Sequence, residues 1–515
     1  MWIAFWLTLL LSSLLSVVGE DDKVMNLIWV NGTKCMDGSQ AGYYIREGKT
    51  DGLYVIFLNG GGACTSQEAC DRRNNTRLGG SSKWAMTAKS RHFLQNTNCL
   101  VNPTFCDATH VEVPYCSGDT HRGNREDKAN EWGYFFRGHA NFQQIIKHLN
   151  ISNTNQTKIA LTGMSAGAIG VVYNIDWLSQ YFQHAALVKG IPVAGWYFPA
   201  ALPNDLPNYF APSNYTSLAK GDKGNPMYDV VVNQKREPMN HWNMTVPSNC
   251  TNNHPWWACS SIHTAHPYIT SPLFHIHTQY DSNQIYVHGS VPANPFTRAE
   301  VHRVDRYIEM WGNASRKSMT TLVSNKTQDG FYSASCLSHG TPTRLTIQGE
   351  SYPSIVHDWF FDLQQKTHLY HLMETCDHNR TKRPGPCNNF GTCRVNRQSQ
   401  QKIVSCTAEL YDIGCLQLQD IARCKTCATS NKNYLLSKNC PASGNEFICN
   451  SLDQIQLSDF LSPTNSPQSR QTRSPITQRE STPAPTTAPS PESSSSSFIT
   501  TFHLLITFVY FAMYS

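Results

Sequence analysis

Residues 158–178 read KIALTGMSAGAIGVVYNIDWL, and the fold turns on how this stretch is parsed. A short apolar run, Ile159-Ala160-Leu161, breaks into Gly163-Met164-Ser165-Ala166-Gly167, and a second apolar run follows at once. The first run has the length of a buried strand and the second that of a helix. A strand that enters a helix through G-x-S-x-G has the form of a nucleophile elbow, in which a tight turn without side chains at its flanks lifts the serine to the tip. The alternative is an ordinary strand–helix turn. With Gly and Ser each near 7% of residues, the bare pattern arises by chance about 0.1–0.2 times in a chain of this length. Its weight therefore comes from the strand and helix on either side.

Outward from the elbow the same alternation continues. Leu53–Leu58 is an apolar run that ends at Gly60-Gly61-Gly62, which predicts a buried strand entering a loop. Residues 110–114 and 273–278 predict two further strands. Phe142, Ile145, Ile146 and Leu149 share one helical face. Strands alternating with helices over residues 20–375 predict an α/β domain built on an α/β-hydrolase-like, doubly wound sheet. Residues 200–260, rich in Pro, Asn, Trp and sequons, predict an irregular insertion that caps the site.

The ends of the chain have other roles. Residues 1–19 carry the apolar run Leu7–Leu15 and stop at Gly19 before Glu20-Asp21-Asp22, the pattern of a secretory signal peptide without its basic segment. Residues 498–515 hold no Asp, Glu, Lys or Arg and follow a polar spacer, which predicts a GPI-anchor signal. A single membrane-spanning helix is the alternative, although it lacks flanking cytoplasmic Lys or Arg. Residues 451–497, rich in Ser, Thr and Pro, predict a stalk too poor in apolar residues to form a core.

Eighteen cysteines behind a signal peptide predict disulfides in an oxidising compartment. Ten N-x-S/T sequons, at Asn31, Asn74, Asn150, Asn155, Asn214, Asn243, Asn249, Asn313, Asn325 and Asn379, predict a glycosylated surface. Nine of the cysteines fall within 376–450 and mark a separate cysteine-rich module. Its Cys387–Cys393 stretch resembles the middle of an EGF-like module without the closing C-x-C. Cys424-Lys-Thr-Cys427 has zinc-ligand spacing, which a secreted chain resolves in favour of disulfides. A net charge of +5 spread over 515 residues, with no Lys/Arg block, excludes nucleic acid as the expected partner.

A serine hydroxyl attacks only when a base takes its proton, and the resulting oxyanion needs preorganised N–H donors. One donor is expected from Ala166, directly after the serine, and another from the glycine loop that follows strand 53–58. In hydrolases of this kind the acid and then the base follow the serine. Asp281 ends an apolar strand, whereas Asp305, Asp329 and Asp358 end no comparable one. His339, His357, His368 and His371 all follow. His339 sits in Ser335-Cys-Leu-Ser-His339, a loop that Cys336 can pin.

Together these residues resemble the pectinacetylesterase family, which includes plant pectin acetylesterases and animal Wnt deacylases. The similarity spans about residues 33–365. Gly60-Gly61-Gly62 with Cys64, Gly163–Gly167, Tyr280-Asp281-Ser282 and Ser335–His339 carry it, joined by Cys35–Ser39, Asn75–Gly79 and Pro114–Gly118. The resemblance implies Ser165 as nucleophile, His339 as general base and Asp281 as its orienting acid. It implies an oxyanion hole from Gly61, Gly62 and Ala166, and no metal or cofactor. It also implies the disulfides Cys35–Cys116, Cys64–Cys70 and Cys250–Cys259, to which Cys99–Cys106 is added. Cys336 and the nine later cysteines make an even ten, consistent with a tie between hydrolase and tail.

Three places depart from the family: Asn59 stands where an acid is usual, Gly62-Ala63 where Trp is usual beside the glycines, and Ala168 where Gly is usual. The activity implied is a secreted, cell-surface serine carboxylesterase acting as a monomer. Its substrate is either an O-acetylated extracellular polysaccharide or a palmitoleoylated secreted protein of Wnt type. An inactive binding protein on the same fold is the alternative. A peptidase would use the same triad, and the resemblance argues against it.

Overall fold

The computed structural model describes residues 24–455 apart from 91, 129–130, 199–240, 289–296, 324, 344, 362–369, 375–396 and 453–454. The signal peptide, most of the insertion, the Cys387–Cys393 stretch, the stalk and the hydrophobic tail lie outside the described residues. So do Asn214 and Asn379.

Twelve strands are described: β1 (Val24–Trp29), β2 (Gly42–Arg46), β3 (Leu53–Leu58), β4 (Thr87–Lys89), β5 (Thr109–Val113), β6 (Lys158–Met164), β7 (Leu187–Val193), β8 (Phe274–Ile276), β9 (Gly330–Ser333), β10 (Thr346–Ile347), β11 (Glu350–Ser351) and β12 (His371–Met373). Ten form one sheet in the order β12-β9-β8-β7-β6-β3-β5-β2-β1-β4. The seven from β12 to β5 run parallel, and β2, β1 and β4 add an antiparallel margin. That margin was not read from the sequence, because its strands are short and half-exposed.

Alternation along the central strands explains the layering. Ile56, Leu58, Ile159 and Leu161 face one side. There they meet Ile145 and Ile146 of α2 (Gly138–Leu149), Val171 and Ile175 of α3 (Ala166–Tyr181), and Tyr307 and Trp311 of α4 (Arg298–Val323). Leu53, Val55 and Ala160 face the other side, against Tyr352, Val356 and Trp359 of α5 (Tyr352–Phe361). A short α1 (Gln67–Asn74) follows the glycine loop. Helices cover both faces of the parallel strands, as a sheet buried on both sides requires.

After β3 the chain moves outward to β5 and then crosses back over β3 to β6. Strand order therefore reverses between β3 and β6. The loops beyond the carboxyl ends of strands at such a reversal form the crevice where α/β sheets bind ligands.

The structure pairs Cys35 with Cys116, Cys64 with Cys70, Cys99 with Cys106 and Cys250 with Cys259. Cys336 is also disulfide-bonded. The described part of the tail is helical: α6 (Arg397–Asp412), α7 (Ile421–Ser430), α8 (Lys432–Ser437) and α9 (Ala442–Asn450). It closes on a small core of Leu410, Leu416, Leu435 and Ile448. Cys406–Cys440, Cys415–Cys427 and Cys424–Cys449 staple that core, in keeping with the rule that small cores need cross-links. Asn31, Asn150, Asn155, Asn243, Asn249, Asn313 and Asn325 are exposed, whereas Asn74 is half-buried at the end of α1. Among the described residues, no helix is long and apolar enough to cross a membrane.

Candidate active site

Ser165 stands between β6 and α3 with φ 57° and ψ −119°. A non-glycine residue seldom adopts that conformation, and it marks stored backbone strain. The flanking glycines are required by space. A Cβ on Gly163 would lie 2.6 Å from the Gly167 carbonyl, and one on Gly167 would lie 1.9 Å from the Leu58 oxygen. Ala166 heads α3, and the first amides of a helix have no partner within it.

The glycine loop after β3 abuts this elbow. A Cβ on Gly60 would meet the Met164 oxygen at 2.4 Å and the Ser165 Cβ at 3.1 Å. Gly61 and Gly62 have φ of +147° and +69°, which only glycine adopts readily. Two side chains hold the loop from behind. Arg73 Nη2 donates to the Gly61 oxygen at 2.7 Å, and His121 Nε2 lies 2.8 Å from the Asn59 oxygen. Asn59 donates through Nδ2 to Glu112 Oε1 at 2.9 Å, so the acid at this point comes from β5. Ala63 packs beside the Met36, Cys64, Phe136 and Trp242 cluster. Ala168 is fully buried, and its methyl fits because Gly195 opposite has no side chain: a Cβ there would lie 2.5 Å from that methyl.

The loops after β8 and β9 are laced together. His277 N donates to Tyr332 O at 3.1 Å, Gln279 N to Ala334 O at 2.9 Å, and Ser338 N to Tyr280 O at 3.2 Å. The lacing brings His339 to Asp281, with Nδ1 2.9 Å from Oδ2 and 3.1 Å from Oδ1. Asp281 is wholly buried and also accepts from the N–H groups of Asn283 at 2.9 Å and Gln284 at 3.0 Å. Burial alone would raise its pKa, but His339, His277 and the Gln284 N–H hold it below the ordinary carboxylate value. For His339, burial would favour the neutral ring, yet the charge and hydrogen bond of Asp281 raise it above the ordinary imidazole value. His339 Nε2 is buried without a hydrogen-bond partner. A Cβ on the next residue, Gly340, would lie 2.9 Å from Met164 Cε, so the histidine loop reaches the elbow.

The other candidates lie elsewhere. Asp329 precedes β9 at the opposite edge of the sheet, with its carboxylate 3.1 Å from His266 Nε2 and 3.3 Å from Lys326 Nζ. His371 opens β12 at that same edge, 2.9 Å from the Asp329 oxygen. Asp305 belongs to α4, and Asp358 and His357 belong to α5. His368 lies outside the described residues.

Sequence reading missed two neighbours of the site. Tyr197, after β7, is buried and donates to Asn283 Oδ1 at 3.3 Å, two residues beyond Asp281. His277 Nδ1 lies 4.0 Å from Asp281 Oδ2, and burial pushes its pKa down to about 4 against the pull of that carboxylate. The signal for Tyr197 was present: the run Leu187–Val193 ends at Ala194-Gly195, as a further strand entering a loop would.

Known proteins resemble this chain over its larger part. The model of the family described as pectinacetylesterase matches residues 20–381. The palmitoleoyl-protein carboxylesterase notum1 of Xenopus laevis is 26% identical over 386 residues, covering 69% of this chain and 73% of that one. The notum1a enzyme of Danio rerio is 28% identical over 366 residues, covering 66% and 68%. The human NOTUM carboxylesterase is 26% identical over 382 residues, covering 69% and 72%. A crystal structure of the Wnt deacylase Notum from Drosophila shares the fold at TM-score 0.56 and 23% identity, covering 68% of this chain and 97% of that one. The chain belongs to the pectinacetylesterase family and is a carboxylesterase, a hydrolase of carboxylic ester bonds.

Proposed function

We propose that Ser165 is the nucleophile of this esterase, His339 its general base and Asp281 the acid that orients the base. His339 Nε2 takes the proton of the Ser165 hydroxyl as Oγ bonds to the ester carbonyl carbon. The carbonyl oxygen becomes an oxyanion facing the N–H groups of Gly61, Gly62 and Ala166. As the oxyanion collapses and the carbon–alkoxide bond breaks, the imidazolium protonates the alkoxide, which departs as an alcohol and leaves the acyl group on Ser165. Water repeats the sequence on the acyl group and releases a carboxylic acid. Asp281 holds His339 by Nδ1, which keeps Nε2 the basic nitrogen.

The observation that carries this reading is the Asp281–His339 pair laced to the same sheet edge as a serine at φ 57°. The substrate is an O-acyl ester outside the cell, either an O-acetyl group on polysaccharide or a fatty acyl group on a secreted protein. Support comes from the family model, named for the first, and from relatives named for the second. Disulfides throughout the described chain support passage through an oxidising compartment. A leader at residues 1–19 and a lipid anchor replacing residues 498–515 would hold the enzyme at the cell surface, with glycans on the sequon asparagines.

The test is hydrolysis of p-nitrophenyl esters by the purified ectodomain and its Ser165→Ala variant. The proposal expects turnover to fall by at least about 10⁴-fold; equal turnover would overturn it. An inactive binding protein would leave both samples silent.

A further inference from the structure

Arg73 has no part in the steps above, yet it grips the glycine loop. It lies in the last turn of α1, a helix that Cys64–Cys70 ties to that loop. Its Nη2 donates to the Gly61 oxygen at 2.7 Å. Among the described residues its charge has no carboxylate partner: Glu68 on the same helix pairs with Arg72, and Asp71 accepts from Tyr134 at 2.6 Å. The Tyr115 ring lies beneath the guanidinium, its centroid 5.7 Å from Cζ. Nη1 is buried without a hydrogen-bond partner. An unpaired buried donor is unfavourable, so stability alone does not account for a guanidinium at this point.

The bond to Gly61 acts through the peptide it holds. A planar trans peptide sets the Gly61 C=O and the Gly62 N–H antiparallel. Gly61 and Gly62 have φ of +147° and +69°, and glycine is the residue freest to leave any one conformation. The loop therefore does not fix this plane by itself. With the oxygen held on the α1 side, the Gly62 N–H is presented on the opposite side, where it donates to none of the described residues. A hydrogen bond from an ionised donor is stronger than a neutral one, and it polarises the amide so that the N–H at its other end donates better. The guanidinium charge also stands one peptide behind that donor, partly out of water, where charge acts at greater strength.

We propose that Arg73 is a positioning residue that orients and polarises the Gly62 N–H for the oxyanion. The proposal rests on the reading of Ser165 as nucleophile and Gly62 as an oxyanion donor. The test measures kcat and KM for p-nitrophenyl acetate, and the inhibition constant of trifluoroacetone, whose hemiketal with Ser165 carries the same oxyanion. The samples are the full ectodomain, Arg73→Met and Arg73→Lys, with urea unfolding as the check on folding. Arg73→Met should lower kcat by at least about tenfold with KM nearly unchanged, and weaken trifluoroacetone by the same factor as kcat/KM. Arg73→Lys, which keeps a charged donor, should recover part of both losses. A folded Arg73→Met with parental kcat would overturn the proposal, as would a fall in kcat with trifluoroacetone binding intact. If Arg73→Met does not fold, Arg73→Lys decides on the same two readouts: losses that match support the proposal, and parental values or losses that differ overturn it. Hydrolysis that persists in Ser165→Ala refutes the nucleophile reading instead, whatever the Arg73 variants do.

Discussion

At the scale of single residues, the proposed chemistry turns on the hydrogen-bonded pair Asp281 and His339. The ring must be neutral to take a proton, and Asp281 raises its pKa above the ordinary value of 6.5. The kcat/KM profile should therefore rise with pH through an apparent pKa above 6.5. Asp281→Asn removes the raising charge and leaves the burial that lowers the pKa. Its acid limb should move to lower pH while the plateau falls by about 10³–10⁴-fold. A variant whose limb stays in place would show that another group sets the profile. Ser165 was legible for a plain reason: a serine between two glycines at a strand–helix junction leaves a local mark. Tyr197 leaves a fainter one, the apolar run that ends at Ala194-Gly195, because its place beside Asn283 arises from strands distant in sequence.

At the scale of elements, β3, β6, α3 and the strand before Asp281 were legible because each is a short apolar run bounded by Gly or Asp. The β1, β2 and β4 margin was not, since half-exposed strands carry mixed patterns. Nor was α4, whose 26 residues are interrupted by charges on the exposed face. The helical tail was hidden behind its cysteines, which announce cross-links but no secondary structure. The contact between Ala168 on α3 and Gly195 after β7 makes a sharper prediction. Gly195→Ala places two Cβ atoms 2.5 Å apart, and such overpacking costs about 1–3 kcal/mol. Ala168→Gly in the same chain should recover part of that loss in urea unfolding. Strictly additive effects would show that the two positions do not touch in solution.

At the scale of the molecule, the disulfides differ in what they close. Cys35–Cys116 spans 81 residues and ties the loop after β1 to the loop after β5, whereas Cys99–Cys106 spans seven. Loop entropy makes the first worth about 4 kcal/mol and the second about 2 kcal/mol. Paired Cys→Ser variants should lose stability in that order in denaturant titrations, and a reversed order would show that native strain outweighs loop length. That a disulfide-rich tail follows the sheet was legible from composition. How the cysteines of 376–450 pair was not, because spacing does not fix connectivity.

The central claim is that Ser165 attacks the ester. Treating the ectodomain with a fluorophosphonate and mapping the adduct by peptide mass spectrometry tests it most directly. The account predicts one phosphonylated residue, Ser165, in the peptide covering 158–178, with labelling lost in His339→Ala. Ester hydrolysis without an adduct at Ser165, or with the adduct on another serine, would contradict it.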